Sequence, residues 1–153
     1  MHAGEFRNWA NGVTPSEFEA AVREIHEAAG WDVEPASETA TGIDYHLTRP
    51  RRYRVVSVRR WSGRESTAAG SAAVQRVAGA ALEHGASEAA VVSSGPCSVE
   101  ARTTARRITQ QSALDAEAVS VDDLHDFVRQ EGLEAVVADY EPSSGIETAG
   151  AFD

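Results

Sequence analysis

With 153 residues, the chain has room for one domain around one core. Its formal charge is −10, from 24 Asp and Glu against 14 basic residues, every one of them arginine. A single cysteine, Cys97, excludes an internal disulfide and a cysteine-based zinc site. No apolar run reaches membrane-spanning length, so the protein is expected to be soluble, free of the membrane and cytoplasmic.

Residues 1–13 show no clear period and read as a flexible or docking arm. Thr14-Pro15-Ser16-Glu17 is a helix start, with Thr14 as cap, Pro15 at the first helical position and Glu17 closing a capping box. Phe18, Ala21, Val22, Ile25 and Ala29 follow at helical spacing, up to Gly30. Trp31-Asp32-Val33 opens a short strand. A strand carrying Asp44, a turn at 49–52 and a second strand through Val58 then form a hairpin. The next predicted helix spans about 70–84, with Val74, Val77, Ala78, Ala81 and Leu82 inward. A strand at 89–93 leads past Gly95-Pro96 into a helix from Cys97 or Ser98, with Val99, Ala105 and Ile108 buried. A last strand at 116–121 precedes a helix capped by Asp122. Strand–helix alternation after the hairpin predicts parallel pairing through right-handed crossovers. Residues 134–153 read as an acidic disordered tail.

Charge is unevenly spread. Residues 49–64 hold Arg49, Arg51, Arg52, Arg54, Arg59, Arg60 and Arg64, while all 24 acids lie outside that window. Such an island suits phosphate contact, because a guanidinium pairs bidentately with phosphate oxygens. The bland alternative is that these arginines pair with nearby carboxylates and solubilise an edge hairpin. The acid excess without lysine fits a salt-adapted (halophilic) protein or an arginine-favouring genome equally well.

Two short stretches carry the chemistry. Asp44 sits among apolar neighbours, where a carboxylate needs a cation or a metal, and Arg59 across the hairpin is its expected ion-pair partner. Ser57 and Arg59, two apart on one strand, project from the same face. His26, His46, His84 and His125 fall on four elements with no i, i+4 pair, which argues against a histidine metal site. His46 shares a strand face with Asp44 and stands as a substitute ligand or base.

Phe18-Glu19, Gly42-Ile43-Asp44, Ser57-Val58-Arg59-Arg60-Trp61, Val74-Gln75 with Gly79-Ala80, and Ser93-Ser94 with Glu100-Ala101 occur in that order. The series resembles the catalytic domain of Mrr-type restriction endonucleases, within the restriction-endonuclease-like PD-(D/E)xK fold, over residues 14–133. The resemblance implies an α/β domain with a mixed sheet flanked by helices. It implies that Asp44 is a magnesium-ligating aspartate, with Glu19 and the Val58 carbonyl as further Mg2+ ligands. Ser57 stands where the family carries a second acid or amide, and Arg59 where it carries lysine. A neutral hydroxyl is a poor ligand for a hard cation. A guanidinium does not give up its proton to act as a base, although it can stabilise charge on a phosphate.

The expectation is therefore a DNA-binding protein with little or no cleavage activity, its phosphate contacts made by Arg49, Arg51, Arg52, Arg54, Arg60 and Arg64. The alternatives are an active, divergent Mg2+-dependent endonuclease and a non-catalytic protein-interaction module of the same fold. Sequence specificity from so short a domain calls for a homodimer or a partner subunit.

Overall fold

In the computed structural model, which describes residues 1–37 and 42–140, the capping box at Thr14 forms as its residues dictate. The Thr14 hydroxyl accepts from the Glu17 N–H at 3.1 Å, and the Glu17 carboxylate accepts from the Thr14 N–H at 2.9 Å. This starts α2 (Pro15–Ala28), whose Phe18, Ala21, Val22 and Ile25 are fully buried. Strands β1 (Asp32–Pro35), β2 (Tyr45–Arg49), β3 (Arg52–Arg59), β4 (Glu88–Ser93) and β5 (Asp115–Val119) form one sheet in sequential order. β1–β2 and β2–β3 are antiparallel, while β3–β4 and β4–β5 are parallel, their crossovers made by α3 (Ser71–His84) and α4 (Val99–Gln111). The fold is the expected α/β domain, a mixed sheet flanked by helices.

Strand alternation divides the core in two. Tyr45, Leu47, Val56, Ala90 and Val92 face α2 and the helices α1 (Ala3–Gly12), α5 (Val121–Glu131) and α6 (Glu134–Ala138). Val55, Ala89, Val91 and Ala116 face α3 and α4. β4 is buried along its whole length, as befits a central parallel strand.

Residues 1–13 are not a flexible arm. Phe6, Trp9, Ala10 and Val13 recur at i, i+3, i+4 and i+7, and all four are buried in α1 and the turn after it. Arg7 forks onto Asp122 at 2.8 and 3.0 Å, tying α1 to α5, and Trp9 Nε1 donates to the Tyr140 carbonyl. Residues 134–138 likewise leave the expected tail to form α6, with Val137 fully buried. The rest of that tail, 141–153, lies outside the described residues.

Smaller corrections follow from helix phase. Ser120, not Asp122, caps α5, paired reciprocally with Asp123. Val99 at the start of α4 and Leu82 near the end of α3 face solvent, at 76% and 70% exposed. Ala101 and Ala105 fill the buried face of α4, one helical turn apart.

Candidate functional site

Asp44 stands one residue before β2, at the point where the hairpin opens. Gly42 prepares it: its φ of +80° is a region that L side chains rarely adopt, and a Cβ there would press on the Arg76 side chain. The Asp44 N–H donates to the Val56 carbonyl at 2.7 Å, and the Val58 N–H donates to Asp44 Oδ2 at 2.6 Å. The carboxylate thus continues the β2–β3 ladder where the β2 backbone stops. Alternation along β3 turns the Val58 carbonyl toward the same edge as its N–H.

Ser57 and Arg59 occupy the α3-facing side of β3. Together with Asp44, Val58 and Arg76 they line an open cavity of about 300 Å³ beneath α3. The sequence placed Asp44 beside Ser57 and Arg59, and they lie together. The expected ion pair does not form: among the described residues, Asp44 has no basic nitrogen within salt-bridge distance. Its hydrogen bond to Val58 takes the place of that pair. Arg76, on α3, is the cavity residue that sequence reading missed; it lies one position past Gln75, which is exposed.

Glu19 lies on α2 and does not line this cavity. Burial, reinforced by the Asp44 charge, pushes its carboxyl above the ordinary value, so the two carboxylates sense one another. Tyr45 donates its hydroxyl to the Glu19 backbone carbonyl at 3.3 Å. Burial, followed by the Glu19 charge, pushes the Tyr45 phenol up to about 12.

This donor set fits magnesium poorly. It offers one carboxylate already engaged by a backbone N–H, a neutral hydroxyl, and two arginines in the same cavity. Among the described residues, no three His, Cys, Asp or Glu side chains come together as a metal site. His26 and His125 are buried against the Val22 and Met1 carbonyls. His46 and His84, from different elements, do meet, with rings 5.3 Å apart, and His46 Nδ1 lies 2.7 Å from the Tyr53 hydroxyl.

The arginine island does not form one surface. Arg52 and Arg54 converge on Glu88, which is 8% exposed and holds both through bonds of 2.8–2.9 Å. The Arg52 bonds, ahead of those from Arg54, hold the Glu88 carboxyl below the usual carboxylate range. Arg49, Arg52 and Arg54 also gather over the buried Trp31 ring, at 4.6–5.4 Å from its centroid. Arg51 turns the hairpin, exposed, with a positive φ of 66°. At the far end of β3, roughly 23 Å away, the Arg60 guanidinium reaches the Asn11 carbonyl at 2.9 Å and Arg64 is exposed. Among the described residues, Arg49, Arg51, Arg59, Arg60 and Arg64 have no carboxylate partner.

The family model of the Mrr catalytic domain, described as restriction endonuclease, matches residues 10–129. Searches of curated proteins and of solved structures give no significant match. No helix among the described residues is long and apolar enough to cross a membrane.

Proposed function

Because this chain belongs to the Mrr-type restriction endonuclease family, we infer that it binds DNA and cleaves it little or not at all. The composition of the Asp44 cavity carries this reading. The backbone geometry that presents the aspartate is intact, while Ser57, Arg59 and Arg76 surround it with a neutral group and two arginines. Guanidiniums in that position attract a phosphate and keep their protons at neutral pH, so neither can act as a base. A phosphodiester would therefore be held there by Arg59 and Arg76 without an activated water.

Asp44 supplies one acceptor oxygen beside the phosphate, and Glu19 on α2 has its carboxyl raised first by burial and then by the Asp44 charge. The retained Asp44 and the family membership favour the second reading, a divergent nuclease of low activity that uses Mg2+. The unpartnered arginines support DNA contact in both readings, with a homodimer or partner subunit completing the recognition.

The ion pairs of the island narrow the DNA contacts that we propose. Arg52 and Arg54 are committed to Glu88, so Arg51 and Arg64 are the exposed island arginines without a carboxylate partner. Replacing both with serine should lower the salt dependence of DNA binding by about two phosphate contacts, each worth ~0.9 in the log–log slope. Gel-shift titration across salt concentrations measures this slope. An unchanged slope would contradict phosphate contact by these two residues.

A further inference from the structure

Past the C-terminal end of β3, against α1 and the start of α5, lies a second recess of about 260 Å³ lined by Trp61. Pro96 and Val121 give it apolar lining, and its wall also holds Asn11, the Arg7–Asp122 ion pair and Arg102, which is paired with Asp123. Trp61 is held rigidly. Its backbone N–H donates to the Ser94 hydroxyl at 2.7 Å and its indole N–H to the Glu65 carbonyl at 2.9 Å. The ring also lies flush on Gly95, where any Cβ would fall inside it. Trp61 is only half-buried, whereas Trp9 and Trp31 are 5% and 6% exposed.

We propose that this slot takes one unstacked nucleobase of bound DNA, stacked on the Trp61 ring. The inference rests on the DNA-binding reading above and adds a contact for the base where that reading has contacts only for phosphates. Three observations favour a base as occupant. The recess is small, flat-walled on the Trp61 side and mainly apolar. Both N–H donors of Trp61, backbone and ring, are already satisfied, so what the side chain offers a ligand is its π-face. Arg60 and Arg64 lie one residue before and three residues after Trp61 and have no carboxylate partner among the described residues, so a bound strand has cations close by in the chain.

The Ser94 backbone N–H also bonds the Arg59 carbonyl, so the slot and the Asp44 cavity share one stretch of backbone. Stacking of this kind tolerates any base and favours single strands or opened duplex.

The test is intrinsic tryptophan fluorescence of the full chain titrated with a short single-stranded oligothymidylate, beside an abasic oligonucleotide of equal length. The expected result is saturable quenching by oligothymidylate and roughly 10-fold weaker binding of the abasic strand. Trp61→Ala should abolish the quenching and bring the two strands to equal affinity, while Trp61→Phe should keep most of the preference. Equal binding of both strands by the natural chain, or quenching that persists in Trp61→Ala, would overturn the slot and leave DNA binding standing. If neither strand nor duplex binds, the DNA reading fails and the slot with it.

Discussion

Replacing Phe6 with alanine is expected to destabilise the protein by about 4 kcal/mol, the usual range for truncating a buried phenylalanine. Phe6 is fully buried and packs against Trp9 and His125, with ring centroids 5.2 and 5.0 Å apart. Its loss would open a cavity where α1, α5 and the sheet meet, and would remove the ring against which the neighbouring anchor of α1, Trp9, packs. Domains of this size have total stabilities of about 5–15 kcal/mol, so the variant should lie near its unfolding threshold. Urea unfolding followed by circular dichroism measures the change directly. A cost below about 1 kcal/mol would mean that residues 1–13 behave as the arm their composition suggested.

The second large effect concerns chemistry. The double variant Ser57→Glu with Arg59→Lys gives the Asp44 cavity a second carboxylate on the same strand face and exchanges a permanent cation for an amine whose pKa can shift. Both side chains replace residues that already line the cavity, so the backbone that orients them is unchanged. Magnesium-dependent DNA cleavage should rise by at least ~100-fold over the natural chain, the lower range for a positioned acid–base group. Titration calorimetry with magnesium should show binding that Asp44→Ala removes. Failure to gain either property would place the deficit elsewhere, with Arg76 the next residue to replace.

Much of this site was legible before the fold was known, and the reasons are specific. Asp44, Ser57 and Arg59 meet because a hairpin links them, and a hairpin is a local structure whose alternation can be read from sequence. Gly42 before Asp44 was also visible, and its positive φ now explains why a glycine stands there. The ion pair between Asp44 and Arg59 was not legible correctly, because charge alone does not reveal that the Val58 N–H already fills one carboxylate oxygen.

Contacts between distant segments were beyond reach. Glu88 meets Arg52 and Arg54 only through the parallel β3–β4 register, which sets Arg54 opposite Glu88 across a crossover helix. That contact divides an island that is continuous in sequence. His46 meets His84 for the same reason, since the end of α3 returns over β2. The α1 helix was missed although its apolar spacing was present. Glycine and asparagine dilute its helical propensity, and its stability comes from docking on α5 and on the segment after α6.

The most direct measurement of the central claim is cleavage of plasmid DNA by the purified natural chain with magnesium or manganese, run beside Asp44→Ala. The cavity around Asp44 predicts no cleavage above the Asp44→Ala background, together with retained DNA binding in both proteins. Cleavage by the natural chain that Asp44→Ala abolishes would contradict this account and establish Asp44 as the centre of an active, divergent nuclease.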